Sequence, residues 1–337
     1  IGIMITASHN PYTDNGLKLF EHGLKLPKET LEKLETYMEQ APSFKPSPKK
    51  YLETQNIDTY LSFLKSLNFK DDISQYTLFD CANGATSFLV PQLFNGDIKH
   101  NRPDGFNINL KCGSTYIENY LNLSKSYDVV VTYDGDGDRM LAIIDEHIIY
   151  GDVLLYLLAK DDETRNIKHK VALSVMTNPG ILKAFDDLKI EVYETPVGDS
   201  YIIDAIEKGL VTRGAEASGH ILSEHITIGD GILASKVLFD ILSRNGKKIV
   251  LNWLNELKLF PMQTRNINIS KKALEDENAK KLIEDFRNEL LKPYEKLIVR
   301  ASGTEDLIRI TASCEDESDV TSLLNIIETI LRGVKYD

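Results

Sequence analysis

Four short stretches of this 337-residue chain carry side chains that can do chemistry together. The first is Thr6-Ala7-Ser8-His9-Asn10-Pro11, with Asn15, Gly16 and Lys18 close behind. A serine at a strand end is well placed as an exposed nucleophile, and His9 and Lys18 can carry protons or neutralise a phosphate. The second is Asp134-Gly135-Asp136-Gly137-Asp138-Arg139. Alternate carboxylates project to one side of a tight turn, and the glycines let the backbone fold closely around a small ion. Three converging carboxylates repel one another unless a cation lies between them, so a hard divalent cation is the natural occupant. An EF-hand loop is excluded, because Arg139 stands where its sixth-position Gly belongs and Asp145 where its last Glu belongs. Few ligands and an adjacent arginine suit magnesium shared with a phosphate oxygen.

The third stretch is Gly214-Ala215-Glu216-Ala217-Ser218-Gly219-His220. Glu216 and Ser218 alternate, so both can face vicinal hydroxyls, with His220 as a proton carrier. The fourth is Arg300-Ala301-Ser302-Gly303-Thr304-Glu305, with Arg309 beyond. An arginine, two hydroxyls and a glycine-opened turn with free N–H groups make a phosphate cradle. Each stretch alone has a plain alternative: a polar loop, an acidic hairpin turn, a strand-end turn, a hairpin with a surface arginine. Their combination supplies a nucleophile, a metal loop, a sugar reader and a phosphate cradle. His22, His100, His147, His169 and His225 show no metal-binding spacing and read as surface or packing residues.

The elements that must position these groups follow from hydrophobic period. Strands are predicted over 2–6, 76–80, 127–133, 140–145, 171–176, 190–193, 264–269, 296–300 and 307–312. Helices are predicted over 56–67, 86–94, 153–159, 180–188, 201–207, 232–242, 274–291 and 320–331, with Asp152 and Asp230 as caps. Residues 134–139 thus sit in the turn between two strands, the first apolar on both faces as in a covered sheet. Residues 45–51, with two prolines and three lysines, read as a connector. The alternation suggests parallel or mostly parallel α/β sheets, followed by a small α+β domain. The chain opens at Ile1 and runs straight into a strand that reads as buried, so the N-terminal part of the first domain is expected to be missing.

Composition narrows the partners. Lys and Arg number 39 against 51 Asp and Glu, a net charge of -12, which argues against nucleic acid or an anionic membrane as the main partner. A local basic pocket for a phosphorylated small molecule is compatible with that balance. Three cysteines without a CxxC pair fit a reducing cytoplasm rather than a disulfide framework or a zinc site. No apolar run approaches the roughly 18 residues a membrane helix needs, and no secretory signal is visible.

With these motifs in this order, the sequence resembles the α-D-phosphohexomutase superfamily, which carries four such loops, one per domain. The resemblance implies α/β three-layer domains plus a small C-terminal α+β domain. It divides the chain at 1–48, 49–148, 149–260 and 261–337, holding the phosphoserine, metal, sugar and phosphate loops in turn. It implies phosphorylation of Ser8, with magnesium, one per site, on Asp134, Asp136, Asp138 and the Ser8 phosphate. It implies proton transfer by Lys18 and His220, with His9 and Arg139 at the same centre. Glu216 and Ser218 would bind the sugar, and Arg300, Ser302, Gly303, Thr304 and Arg309 its phosphate.

Asp80-Cys81-Ala82-Asn83-Gly84-Ala85, Asn107-Ile108-Asn109, Cys112-Gly113-Ser114-Thr115 and Gly229-Asp230-Gly231-Ile232 resemble the phosphoglucosamine mutase branch. That branch implies exchange of phosphate between O6 and O1 of glucosamine phosphate through glucosamine 1,6-bisphosphate, on the way to UDP-N-acetylglucosamine and peptidoglycan. It implies a phosphosugar substrate, a cytoplasmic setting, no nucleic acid or membrane partner, and room for a homodimer. Ser200 and Asp306 depart from the basic residue and the proline common at those positions. The alternatives are a phosphomannomutase/phosphoglucomutase, or an inactive phosphosugar-binding fragment.

Overall fold

A computed structural model describes residues 1–40, 57–67, 69, 76–167, 169–223, 228–302 and 306–334. The first sheet is an antiparallel ribbon of β1 (Gly2–Ile5), β2 (Leu17–Glu21) and β3 (Leu24–Lys25), followed by helix α1 (Lys28–Gln40). Helix α2 (Ile57–Ser66) leads to the second sheet, formed by β4 (Thr77–Asp80), β5 (Asp97–Lys99), β6 (Val129–Tyr133), β7 (Met140–Ile144) and β8 (His147–Ile149). Its order is β5-β4-β6-β7-β8, with the short helix α3 (Val90–Leu93) between β4 and β5 in the chain.

The third unit begins with α4 (Gly151–Thr164). It continues through β9 (Val171–Ser174), α5 (Pro179–Asp187), β10 (Val192–Thr195), α6 (Asp199–Glu207), β11 (Arg213–Ala215) and β12 (Ile221–Ser223). It ends with α7 (Gly231–Asn245) and α8 (Lys247–Glu256), and its strand order is β10-β9-β11-β12. The fourth unit has β13 (Met262–Ile267), α9 (Glu277–Leu290), β14 (Lys296–Ala301), β15 (Ile308–Ser313) and α10 (Glu317–Arg332), with sheet order β13-β15-β14.

The second sheet positions the acidic turn. Every residue of β6 and β7 is buried. Val129, Val131, Tyr133, Met140, Ala142 and Ile144 face one core, and Val130, Leu141 and Ile143 face another with Ile117 and Tyr120. Such β-branched strands, covered on both sides, are the reason a valine-rich run folds here as a central strand. The first of these cores continues into the third unit through α4, α7 and α8. Phe79 of β4 stacks on Phe94 at 5.1 Å and meets Phe239 of α7 edge-on at 6.1 Å. The fourth unit has a core of its own around Ile308, Ile310, Leu324 and Ile327.

Several local expectations are corrected. The sheets are mixed: β4 runs parallel to β5 and β6, but β7 and β8 are antiparallel, as is β12. The reason is connection length, since the few residues between β6 and β7 allow a hairpin but not a parallel crossover. The helix expected over 86–94 breaks into a 3-10 turn, Ala85–Ser87, and α3, where Pro91 lacks the N–H a longer helix would use. The one expected over 274–291 splits into a 3-10 turn, Lys271–Leu274, and α9, capped by the Asp276 side chain. Asp230 caps α7 as expected, but α4 starts at Gly151 after Tyr150, so Asp152 lies inside its first turn and not at its cap. Helix α8 was not anticipated; Gly246, at φ 80°, ends α7 and starts it. Strand β1 is not buried: Ile3 and Ile5 are 64% and 69% exposed, because no layer covers that ribbon face among the described residues. The 45–51 connector, His225 and the 48/49 boundary lie outside the described residues.

Asp152 gives a test of the packing around α4. It is 2% exposed, and burial lifts its carboxyl to about 6, the bond from Val153 N offsetting only part of that. A carboxyl raised in the folded state binds more protons folded than unfolded, so stability falls as pH climbs from its ordinary range to the raised value and stays lower above it. Asp152→Asn is therefore expected to exceed the parent in stability at pH 7.5 by about 1–3 kcal/mol, with the gap closing toward pH 4, in urea unfolding followed by circular dichroism.

Candidate active site at the acidic turn

Asp134 directly follows β6 and is fully buried. Its Oδ1 accepts from Gly137 N at 3.1 Å and Arg139 N at 3.2 Å, which ties the turn to itself, with Gly137 at φ 76°. Its Oδ2 accepts from Ser8 Oγ at 2.9 Å. Asp136 Oδ2 accepts from Thr6 Oγ1 at 3.1 Å and from Lys18 Nζ at 2.7 Å. The same ammonium donates to Asp138 Oδ2 at 2.8 Å. Asp138 Oδ1 faces His220 Nε2 at 3.3 Å. The first ribbon supplies both Ser8 and Lys18, because Met4 pairs with Lys18 across β1 and β2 and Thr6 N closes the hairpin on Gly16 O.

The third unit meets the turn from the other side. Gly231 N, at the start of α7, donates to Gly137 O at 2.8 Å, and Met140 N donates to Gly219 O at 3.2 Å. His220 Nδ1 lies 3.4 Å from Glu216 Oε2 and 3.3 Å from Ser218 Oγ. Glu216 Oε1 accepts from Gly198 N at 2.8 Å. Arg139 donates from Nη1 to His9 Nδ1 at 3.1 Å, and His9 Nδ1 lies 3.4 Å from Ser8 Oγ.

The charges are strongly interdependent. Burial, then the charges of Asp138 and Asp136, push the Asp134 carboxyl up to about 7. Burial opposes ionisation of Asp138 too, but bonds from His220 and Lys18 outweigh it and hold its carboxyl far below the usual range. Burial would lower His220, yet Asp138 and Glu216 lift it to about 9. Lys18 is raised in the same way by Asp136 and Asp138 against its own burial. His9 goes the other way, lowered by burial and by Arg139.

A cation fits this donor set. The ligand oxygens of Asp134, Asp136 and Asp138 lie within 4.8 Å of one another. Asp136 Oδ1 is buried with no hydrogen-bond partner. Hard carboxylate oxygens of this kind suit magnesium. Asp80, His100 and Cys112 also cluster, but both Asp80 oxygens are already taken by Ala82 N, His100 Nδ1, Gly113 N and Tyr120 OH at 2.6–3.0 Å. That second group is a structural knot.

The structure therefore gathers Ser8, His9, Lys18, Asp134, Asp136, Asp138, Arg139, Glu216, Ser218 and His220. Arg300 and Arg309 face each other across β14 and β15, and Ser302 is buried just beyond β14, its N donating to Leu307 O at 2.9 Å. They belong to the fourth sheet, and none of the contacts above comes from it. Gly303 and Thr304 lie outside the described residues. Sequence reasoning missed Thr6, whose place beside Ser8 was a usable signal, and Asn109, discussed below.

Comparison with known proteins places the chain. The family profile for phosphoglucomutase/phosphomannomutase alpha/beta/alpha domain I matches residues 1–44, and that for domain III matches residues 150–257. The phosphoglucosamine mutase of Halalkalibacterium halodurans is 35% identical over 98% of this chain and 78% of its own length. That of Bacillus cytotoxicus is 36% identical over the same shares. The chain belongs to the phosphoglucosamine mutases. The resemblance read from the four motifs and the multidomain α/β expectation are thereby borne out. The phosphoglucosamine mutase fold is shared with a phosphoglucomutase/phosphomannomutase family protein of Burkholderia thailandensis, at a TM-score of 0.80 and 20% identity over 98% of this chain and 75% of that one. It is also shared with the N-acetylphosphoglucosamine mutase of Aspergillus fumigatus, solved with GlcNAc-6P and magnesium, at a TM-score of 0.73 and 18% identity over 98% and 88% of the two chains. No helix of the described residues is long and apolar enough to cross a membrane.

The turn is held from beneath by Gly84, where a Cβ would stand 2.2 Å from Gly135 O, beside the 2.9 Å bond from Ala85 N to that same oxygen. Gly84→Ala is expected to destabilise the protein by about 1–3 kcal/mol and to reduce the rise in melting temperature that magnesium produces. Scanning fluorimetry with and without magnesium measures both; an unchanged magnesium response would separate the turn from that contact.

Proposed function

We propose that this chain interconverts glucosamine 6-phosphate and glucosamine 1-phosphate by way of phospho-Ser8 and glucosamine 1,6-bisphosphate. The observation that carries the reading is Ser8 Oγ held 2.9 Å from the innermost of three clustered aspartates. In the forward half, the bond from phosphorus to Ser8 Oγ breaks as the sugar O1 takes the phosphoryl group, and the O1 proton passes to Ser8 Oγ. After the bisphosphate turns round, the bond from phosphorus to O6 breaks as the 6-phosphoryl group passes to Ser8 Oγ, and the Oγ proton passes to O6. Lys18 and His220, both bonded to Asp138, are the groups placed to move those protons.

Asp134, Asp136 and Asp138, with the Ser8 phosphate, would hold one magnesium, which supplies positive charge against the phosphoryl oxygens. Arg139 adds to that neutralisation, and His9, which accepts from Arg139 Nη1, lies beside the Ser8 hydroxyl. Glu216 and Ser218 read sugar hydroxyls, and Arg300, Ser302, Gly303, Thr304 and Arg309 hold the phosphate that is not reacting. Related structures support the ligand classes: the Aspergillus mutase was solved with GlcNAc-6P and magnesium, and a variant of it with glucose 1,6-bisphosphate. The reading implies a cytoplasmic enzyme, with room for a homodimer, feeding UDP-N-acetylglucosamine synthesis for peptidoglycan.

Two variants test it. Ser8→Ala is expected to lower turnover of glucosamine 6-phosphate by about 1,000-fold or more in a coupled assay with magnesium and a trace of the bisphosphate. Asp136→Asn is expected to weaken magnesium binding on the order of tenfold or more by calorimetry. Preferential turnover of mannose or glucose phosphates by the parent would move it to the phosphomannomutase/phosphoglucomutase branch. Equal activity of Ser8→Ala would remove the phosphoserine.

A further inference from the structure

The segments 80–85 and 107–115 mark the family branch, yet the mechanism above gives them no task. Their geometry points to one. Asn109 is 7% exposed and sits 101 positions from Ser8 in the chain, and its side-chain amide Nδ2 donates to Ser8 O at 2.8 Å. The same nitrogen donates to Asn10 O at 2.9 Å. Both protons of one amide are therefore spent on the backbone of the serine loop.

That backbone needs holding. Ser8 has φ 52°, in the left-handed region that a residue with a Cβ seldom enters. Fixing the carbonyls at 8 and 10 fixes the 8–9 and 10–11 peptide planes, and the first of these sets the direction in which the Ser8 side chain leaves. The acidic turn closes on the same point. A Cβ on Gly135 would come within 2.6 Å of Ser8 O and 2.7 Å of Asn109 Nδ2. Glycine there lets the metal turn, the serine loop and the asparagine meet.

Asn109 is itself held in a rigid frame. Its N donates to Ala82 O at 2.9 Å, with the residue at φ 57°. Asp80, fully buried, gathers Ala82 N at 2.9 Å and Gly113 N at 2.6 Å on its two oxygens, and so ties the 80–85 and 107–115 segments into one piece. Tyr120 OH and His100 Nδ1 complete that carboxylate. The chain of contacts thus runs from a buried aspartate of the second sheet to the carbonyl of the nucleophile in the first unit.

We propose that Asn109 is a positioning residue for phosphoryl transfer, which holds the Ser8 peptide in its left-handed conformation so that Oγ stays aimed at the aspartate cluster. The inference rests on Ser8 as the phosphate carrier. Misplacing a reacting atom by about 1 Å can cost on the order of 100-fold in rate, so two hydrogen bonds that set its direction have kinetic weight without touching substrate.

The test uses Asn109→Asp and Asn109→Ala in the full chain with magnesium. Aspartate keeps the shape but offers no donor to the two carbonyls, and alanine removes the group. Both are expected to lower kcat for glucosamine 6-phosphate by about 10- to 100-fold with KM changed by less than about twofold. Millisecond hydrogen exchange is expected to quicken at the amides of residues 7–10 and to stay unchanged over 129–144. Unchanged kcat, a loss confined to KM, or unaltered exchange at 7–10 overturns the proposal. If Ser8→Ala keeps full turnover, the phosphoserine reading falls instead, and the exchange at 7–10 still decides whether Asn109 holds the loop.

Discussion

Three carboxylates in five residues of one buried turn are an electrostatic liability, and the surrounding structure answers to it. Asp134, Asp136 and Asp138 cannot all ionise at close range unless positive charge is brought to them. The protein brings it from three directions. Lys18 comes from the first ribbon, Arg139 from the turn itself and His220 from the third unit. Each cation is fixed by the anions it serves, and so the repulsion within one loop becomes an attraction between units far apart in sequence. The remaining demand for charge, seen in the partnerless Asp136 Oδ1, is where a divalent ion would act.

Such a turn is affordable only on a stiff base. Strands β6 and β7 are buried on both faces, and one core runs from them into α4, α7 and α8. The backbone around the turn is bonded from below through Ala85 and from the side through Gly231 and Gly219. The first ribbon is the opposite case, with its outer isoleucines exposed, and it joins the site through Thr6, Ser8, Lys18 and the Asn109 amide. Rigid carboxylates and a separately carried serine are a reasonable division of labour for an enzyme in which the protein mainly positions groups and balances charge.

What could be read from the residues was the chemistry that lies contiguous in the chain. Ser8 beside His9, and the aspartates at alternate positions, declare their purpose within six residues. The two-sided burial of β6 was legible because its valines leave no polar face. Asn109 was illegible as a functional residue, since its meaning is a contact with a carbonyl, and any asparagine in a loop looks alike until the partner is placed. The exposure of β1 was misread for a related reason: Ile1, Ile3 and Ile5 look like core, but burial depends on what layer lies over them. The broken helices at 86–94 and 274–291 were missed because hydrophobic period continues across a proline or a cap that the backbone obeys first.

The central claim is that Ser8 carries the phosphoryl group at the aspartate cluster. The most direct measurement is peptide mass mapping of the chain after incubation with glucosamine 1,6-bisphosphate and magnesium. The account predicts one added phosphate, on the peptide containing Ser8. A phosphate on another residue, or none on a folded, magnesium-loaded protein, would contradict it.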